Sequence, residues 1–479
     1  MYAVNDFTVQ EKKQRDEESK LNVIIIGAGL GGLGAAIAIL LAGHNVTVLE
    51  AASEIGEIGA GIQVLPNAAR IILSWGLKDI LEPHATWPQK CNFWGWKGNH
   101  LSQMDYHGYA RVCKAPFWDF HRANLHKGLL TRATQLGAEV LTNAKVQNFT
   151  IDSDESSTTV FLADGRTMTA DLVVGADGIN SKVREVFLGR EDPPTPTGDL
   201  AYRLLLKTKD MMKDPDLRPF VDNPQVNYWV GPGVHAVNYI LRGGELFNMV
   251  LLVPDDIPSG SANTIEGDVE EMRAHFRQWD PRLGKLAALC DSKSILKWRL
   301  CIRPGLEPTW SDPSGAFTML GDAVHATLPY LASGAGMALE DGGVLGLCLG
   351  RLTDKSPISK MKALQVYEAC RRERTEKVVQ RGSYNQWIYH LLDGPEQEER
   401  DRKFKLFEDM DAKWLSEDEP VLPQIQETGD DPFPWRYHGV GRWLLTYDMW
   451  QDVEEKWSAN TESAVPEAVG ETETLRPSL

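Results

Sequence analysis

The spacing of hydrophobic residues near the start of the chain changes twice, and each change predicts a new element. The run "NVIII" from Asn22 is β-branched and predicts a buried strand that leads into glycines. The stretch "GLGAAIAILLAG" is apolar but only roughly half of the ~20 residues that a bilayer requires, so it predicts a buried helix. In "HNVTVLE" valines alternate with polar residues, which predicts a second strand. These elements form a βαβ unit.

The pattern then divides the remaining chain into alternating segments. "HRANLHKGLLTRATQLGAEVLTNAKV" predicts a helix and a strand, and "DESS" and "ADGR" predict hairpin turns. Residues 195–300 are strand-rich, and the chain after the second glycine loop is mostly helical. The predicted units are a flexible arm (1–20), three parts of one nucleotide-binding domain (21–84, 119–195 and 301–355), an insertion near the substrate domain (85–118), a β-rich substrate domain (196–300), a helical C-terminal region (356–456) and a disordered tail (457–479).

Composition excludes several classes of function. The chain has 479 residues and a net charge of -17, which leaves no basic surface for nucleic acid. Its six cysteines show no C-x-x-C pair and no metal-like spacing, so we expect reduced thiols and no metal site. The first twenty residues are polar where a secretory signal would be apolar. A soluble, cytoplasmic protein without a membrane span is expected; the oligomeric state stays open.

The first glycine loop points to a dinucleotide. Gly27, Gly29 and Gly32 form G-x-G-x-x-G between the first strand and the helix, where backbone N–H groups can bind a pyrophosphate. Glu50 ends the second strand, and an acidic side chain there binds ribose hydroxyls. An acidic residue favours an unphosphorylated ribose, so the pattern fits FAD or NAD better than NADP.

Two later stretches favour FAD, because a flavin nucleotide must also be held at its ribityl chain and ring. They are "DLVVGADGINSKVR", with Asp177, and "GDAVHATLPYLASGAGMALEDG", with Asp322 before the glycines of a second loop. With the first loop they resemble the FAD-dependent aromatic hydroxylases, the single-component flavoprotein monooxygenases related to p-hydroxybenzoate and salicylate hydroxylases. The resemblance covers residues 20–395 and is closest to fungal secondary-metabolite monooxygenases.

The resemblance implies the fold and the reaction. The fold class would be α/β, a Rossmann-like FAD-binding domain with an inserted β-rich substrate domain and a helical C-terminal region. FAD would be the resident cofactor and NAD(P)H a transient electron donor, since no second G-x-G-x-x-G is present. Through a flavin C4a-hydroperoxide the enzyme would use O2 to hydroxylate a phenolic or aromatic-acid substrate, in secondary metabolism or aromatic breakdown.

The resemblance also implies roles for single residues. Asp322 would bind a ribityl hydroxyl, Asp177 would frame the cofactor, and Arg122 would reach its pyrophosphate or ribityl region. Pro329 would lie beside the reactive edge of the flavin. The simpler alternatives are a helix N-cap, a turn former, a surface helix residue and a plain loop proline, respectively. The full cofactor-binding prediction is Gly27, Gly29, Gly32, Glu50, Ala51, Gly61, Arg122, Asp177, Asp322, Gly334, Ala335 and Gly336.

The strand-rich region supplies the substrate-binding candidates. A phenol becomes nucleophilic when it is held as phenolate, which requires a base or a cation. "AYR" offers Tyr202 and Arg203, and "HAVNY" offers His235 and Tyr239. We predict that Arg203 and Tyr239 hold the phenolate, the alternative being a solvated arginine and a core tyrosine.

Two other functions stay open at this point. One is epoxidation of an isoprenoid alkene or oxidation of an indole in an alkaloid or meroterpenoid pathway. The other is a redox-responsive flavoprotein that binds FAD and a partner without catalysis.

Overall fold

A five-stranded parallel sheet is built around the first βαβ unit. The computed structural model describes residues 8–56, 61–290, 294–416 and 429–462, and strands and helices are numbered along the chain. The predicted strand, helix and strand are β1 (Asn22–Ile26), α1 (Leu30–Leu41) and β2 (Asn45–Leu49). The order in the sheet is β18-β11-β1-β2-β7, with every pair parallel. The other three strands are β7 (Glu139–Leu141), β11 (Leu172–Gly175) and β18 (Phe317–Met319).

Helix α1 packs closely against a second glycine-rich helix, α12 (Gly334–Leu349). A Cβ added at Gly342 would lie 2.6 Å from the backbone nitrogen of Ala35, so only glycine permits this approach. Because the two helices lie this close, the two glycine loops that precede them open onto one space.

A mixed eight-stranded sheet forms the second half of the molecule. Its order is β16-β17-β12-β15-β14-β13-β4-β5, and all pairs are antiparallel except β13 with β4. Strands β4 and β5 come from the aromatic-rich segment 85–118, and the other six lie within 195–302. The strands are β4 (Lys90–Gly95), β5 (His100–Asp105), β12 (Thr195–Lys207), β13 (Gln225–Gly231), β14 (Val234–Leu241), β15 (Leu246–Pro254), β16 (Thr264–Asp268) and β17 (Ser294–Ile302).

Two small sheets and short helices connect these parts. The small sheets are β3 (Gly61–Val64) with β6 (Trp118–His121), and β8 (Val146–Asp152), β9 (Ser157–Leu162) and β10 (Thr167–Ala170). The helices before α12 are α2 (Pro66–Ser74), α3 (Lys78–Leu81), α4 (Tyr106–Cys113), α5 (Arg122–Leu136), α6 (Lys182–Leu188), α7 (Thr208–Met211), α8 (Arg218–Asp222), α9 (Val269–Ala274), α10 (Pro281–Ala288) and α11 (Asp322–His325).

The C-terminal region is helical and contacts both halves. The Tyr367 hydroxyl donates to the Met319 carbonyl of β18 at 2.9 Å, and Asn385 donates to the Tyr330 carbonyl beside the second sheet at 3.0 Å. One long helix therefore spans the two halves. The region comprises α13 (Pro357–Tyr389), α14 (Pro395–Leu415), α15 (Gly441–Leu445) and α16 (Met449–Glu462). Of the helices in the described ranges, none is both long and apolar enough to cross a bilayer.

The structure corrects the predicted flexible arm over residues 8–20. The Arg15 guanidinium donates to the carbonyls of Ala42, Leu349 and Leu352 at 2.7, 3.0 and 2.7 Å. These carbonyls lie at or just after the C-terminal ends of α1 and α12, where a helix leaves its last carbonyls without partners. The arm is therefore held to the core by satisfying helix ends, a contact that a polar composition does not reveal. Residues 1–7 lie outside the described residues.

The structure also corrects the part of the predicted disordered tail that it describes. Residues 457–462 continue α16, and the Trp457 ring contacts the charged ends of Arg351 and Lys362. Residues 463–479 lie outside the described residues. The remaining domain boundaries stay predictions.

Candidate active site

A deep cavity lies between the parallel sheet, the N-termini of α1 and α12, and one face of the eight-stranded sheet. It holds about 1430 Å³ of space free of protein atoms, part of it open to solvent. Nine predicted site residues line it: Gly29, Gly61, Arg122, Arg203, Tyr239, Asp322, Pro329, Gly334 and Ala335. Six lie outside the wall: Gly27, Gly32, Glu50, Ala51, Asp177 and Gly336.

The three glycines of the first loop differ in what surrounds them. Gly27 has φ +108°, and a Cβ there would lie 2.4 Å from the Ala176 carbonyl oxygen. A Cβ on Gly32 would lie 2.0 Å from the Gly27 carbonyl oxygen. Gly27 and Gly32 therefore shape the turn, whereas a Cβ on Gly29 meets no protein atom within 4 Å and would enter the cavity. This open position suits a ligand that approaches the backbone at the start of α1.

Glu50 contacts the loop from behind. Its carboxylate accepts the backbone N–H groups of Ala28 at 2.9 Å and Ala52 at 2.8 Å. Ala51 is exposed beside it. The carboxylate thus anchors the glycine turn, a role that the sequence interpretation did not include.

Asp177 is a turn and cap residue in this structure. Its carboxylate accepts the Ser181 hydroxyl at 2.5 Å and the N–H groups of Lys182 and Val183 at 2.8 and 3.0 Å. Three donors at the start of α6 occupy it, which is the simpler of its two interpretations. Its neighbours Ala176 and Gly178 line the cavity instead.

The second loop presents Asp322 and the N-terminus of α12 to the cavity. Asp322 is exposed to the cavity, where desolvation by the surrounding protein raises the pKa of its carboxyl. No side chain caps the start of α12, so its first N–H groups are available to an anionic or carbonyl oxygen. Gly334 and Ala335 line the cavity there, whereas a Cβ on Gly336 would contact Ala68 of α2 at 3.4 Å.

An ionic cluster that the sequence analysis did not assign holds the second loop. The Asp341 carboxylate accepts the Gly321 N–H at 2.9 Å and contacts His325 Nε2 and Arg371 Nε at 2.7 Å each. Burial alone would raise the pKa of Asp341, but His325 and Arg371 lower it to about 2. Two adjacent acidic residues, Glu340 and Asp341, inside an otherwise apolar helix were the available signal. Asp341 therefore fixes the backbone immediately before Asp322.

The sheet face opposite the two loops carries the substrate candidates. Arg203 of β12 and Val237 of β14 both pair with Val250 of β15, so they lie in one row across the sheet. His235 lies two residues before Val237 and Tyr239 two residues after it, so the three side chains share one face of β14. All three line the cavity. Tyr202 points to the opposite face, where its hydroxyl donates to Glu271 at 3.2 Å. Strand alternation thus excludes Tyr202 and adds His235, which the sequence analysis named but did not select.

Arg203 places a cationic side chain in the cavity wall. Its guanidinium lies 4.4 Å from the centre of the Trp298 ring, and among the described residues no carboxylate pairs with it. Burial and the nearby Arg122 lower the pKa of Arg203. Burial also raises the pKa of Tyr239, so its hydroxyl stays protonated and can donate. This part of the cavity therefore favours a negatively charged or oxygen-rich group.

Comparisons with known proteins agree with this geometry. Residues 20–238 match the family described as "FAD binding domain". The chain is 42% identical over 404 residues to "FAD-dependent monooxygenase OpS4" of Beauveria bassiana, covering 83% of this chain and 92% of the relative. It is 34% identical to the "3-hydroxybenzoate 6-hydroxylase" of Polaromonas naphthalenivorans, covering 78% and 90%. The solved structure of CtdE in complex with FAD and a substrate has the same fold, with a TM-score of 0.74, 21% identity and coverage of 93% and 99%.

The observed cavity fits the cofactor of these relatives. The open Gly29 position, the uncapped start of α12 and the Asp322 carboxylate can hold the pyrophosphate, the ring edge and the ribityl chain of one extended nucleotide. The predicted fold class, a Rossmann-like FAD-binding domain with an inserted β-rich substrate domain and a helical C-terminal region, is confirmed. The chain belongs to the FAD-dependent monooxygenases, and FAD is its cofactor.

Proposed function

We propose that this enzyme hydroxylates a phenolic or aromatic-acid substrate with O2, with NAD(P)H as the electron donor. The observation that carries the proposal is Arg203, a cation in the cavity wall with no carboxylate partner among the described residues. A phenolate or carboxylate on the substrate would supply that partner through charge-assisted hydrogen bonds. The printed name of one relative, a 3-hydroxybenzoate 6-hydroxylase, supports this class.

The residues around Arg203 suit an aromatic ring. Ala201, Val237, Val250 and Leu252 form an apolar surface on which a flat substrate can lie. Tyr239 would donate its hydroxyl proton to the substrate oxygen. His235 would accept the phenol proton, because burial lowers its pKa and keeps the ring neutral. Loss of this proton would make the substrate ring more electron-rich and therefore a better nucleophile.

Bound, reduced FAD supplies activated oxygen to the substrate. Asp322, Arg122 and the start of α12 would hold the cofactor on one side of the cavity, and the sheet would hold the substrate on the other. Pro329 also lines the cavity. The cavity walls would limit the access of water to the reacting atoms.

The test measures NADH and NADPH oxidation by the FAD-loaded enzyme with phenolic acids, acylphenols, indoles and prenylated alkenes, and checks each product for one added oxygen. We expect phenolic acids to accelerate oxidation and to gain oxygen. Product from indoles or alkenes alone would favour epoxidation or indole oxidation. Oxidation without any oxygenated product would refute the proposal.

Arg203→Ala tests the observation directly. Loss of one charge-assisted interaction of ~1.5–3 kcal/mol would raise the KM for a phenolic acid by roughly 10-fold to 150-fold, while FAD affinity stays the same. Arg203→Lys would recover only part of this, because it keeps the charge but not the planar fork. The matched control is Arg166→Ala, since Arg166 is an exposed surface arginine paired with Asp164. An unchanged KM in Arg203→Ala would contradict the role.

A further inference from the structure

A short turn in the cavity wall leads directly into the start of α12. It spans Pro329–Leu331, and two residues connect it to the first residue of the helix. Pro329 and Tyr330 line the cavity opposite the substrate wall, the sheet face that carries Arg203 and Tyr239. Any movement of this turn therefore also moves the helix start that can hold the flavin ring.

The turn contains a strained backbone position. Ala332 has φ +50° and ψ +33°, the left-handed region that alanine rarely adopts. Its N–H donates to the Pro329 carbonyl at 3.0 Å, which closes the turn. Strained conformations of this kind persist only where surrounding contacts hold them. The contacts around Ala332 therefore decide the shape of this part of the cavity.

Two side chains from the C-terminal region bind the carbonyls of the turn. The Trp435 indole N–H donates to the Leu331 carbonyl at 3.1 Å, and the Asn385 amide donates to the Tyr330 carbonyl at 3.0 Å. Trp435 and Asn385 are fully buried, and neither belongs to the cavity wall. Both carbonyl oxygens are therefore bonded to donors that lie behind the wall.

Trp435 is itself held in place by the rest of the fold. It belongs to residues 429–447, which we call the C-terminal strap. Arg70, Arg374 and Arg381 donate to six carbonyls of the strap at distances between 2.7 and 3.3 Å. The position of the indole is thus fixed by bonds that do not involve the turn, so the strap can act as a support for it.

We propose that Trp435 and Asn385 are positioning residues for FAD, which hold the strained turn before α12 and keep its two carbonyl oxygens out of the cavity. The start of α12 is the positive end of a helix dipole and favours negative charge on a bound ligand. A carbonyl oxygen that turned into the cavity would place partial negative charge beside it and weaken that effect. The inference rests on FAD as the cofactor and does not require the proposed hydroxylation.

The first experiment measures FAD affinity by flavin fluorescence and the flavin reduction potential by equilibration with a reference dye. Trp435→Phe removes the donor and keeps an aromatic ring, and Asn385→Leu removes the other donor at similar volume. Because each variant loses one buried hydrogen bond, we expect the Kd for FAD to rise by roughly 2-fold to 10-fold. We also expect the potential to become more negative, because reduction adds negative charge to the flavin. The matched control is Trp387→Phe, the same change at a position that is 51% exposed.

The second experiment separates support of the turn from general packing. Glycine adopts the left-handed region without strain, so a turn with Ala332→Gly needs less support. Ala332→Gly added to Trp435→Phe should therefore recover most of the lost FAD affinity and return the potential toward the native value. A loss caused only by looser packing around residue 435 would not be recovered, and absence of recovery would overturn the proposal.

Native FAD affinity and native potential in both Trp435→Phe and Asn385→Leu would also overturn it. Failure of the proposed function looks different. In that case no phenol would gain oxygen in the native enzyme, whereas the FAD measurements need no substrate and would stand.

Discussion

Stability of this enzyme should depend on pH through His44, a buried histidine far from the substrate wall. His44 is 1% exposed. Its Nδ1 accepts the Leu21 N–H before β1, and its Nε2 donates to the Leu349 carbonyl at the end of α12, each at 3.0 Å. These two bonds require the neutral ring, because a proton on Nδ1 would break the first. Burial accordingly lowers the pKa of His44 from 6.5 to about 4.

The sign and the size of the effect follow from these values. Below pH 6.5 the unfolded chain binds a proton at His44 that the folded protein does not bind until about pH 4. Stability therefore falls as the pH falls through this window. Between about pH 7.5 and about pH 5, His44 alone should lower the free energy of unfolding by ~2 kcal/mol. For a chain of this length that corresponds to a decrease in Tm of about 2 °C.

The assay compares the FAD-loaded wild type with His44→Asn by thermal melting across this pH range at one scan rate. Asparagine can accept the Leu21 N–H but cannot reach the Leu349 carbonyl, so the variant should be less stable at every pH, by ~1–3 kcal/mol. On acidification the Tm of the variant should nevertheless fall less than that of the wild type. The difference between the two decreases is the contribution of His44. All other ionisable groups are common to both proteins and cancel in the difference. Parallel pH profiles would refute the reasoning.

Three glycine substitutions separate cofactor binding from folding. Gly29→Ala should leave the Tm of the FAD-free protein unchanged but weaken FAD binding by about 10-fold to 100-fold, because its methyl group would enter only the cavity; normal FAD affinity by flavin fluorescence would contradict this. Gly342→Ala should lower the free energy of unfolding by ~1–3 kcal/mol, because its Cβ would lie 2.6 Å from the Ala35 nitrogen; unchanged denaturant unfolding would contradict it. Gly284→Ala, on the exposed side of α10 with open space around it, should raise stability by ~1 kcal/mol through helix propensity, and a lower Tm would show that the space is not free.

Much of the FAD-binding half is readable from local sequence. The β1–α1–β2 unit and the strand before the second glycine loop depend on hydrophobic period and turn chemistry, which neighbouring residues encode. The G-x-G-x-x-G spacing located Gly27, and the structure shows there the positive φ of 108° that favours glycine. Asp177 shows the limit: a motif locates the residue, but the donors around its carboxylate decide whether it contacts a ligand or caps a helix.

The substrate wall depends on contacts between distant segments. Alternation along β14 places His235 and Tyr239 on one face, but local pattern cannot tell which face meets the cavity. The pairing of β12 with β15 brings Arg203 to that face, and the end of α13 brings His390 behind it, 155 positions after His235. Such contacts form when whole strands and helices pack together and bury their apolar faces. The sequence by itself thus determined that the chain binds a flavin nucleotide, because the glycine loops are local backbone requirements. Only the tertiary structure decided which cation and which histidine share the cavity, because that depends on sheet register and on the packing of a helix from the far end of the chain.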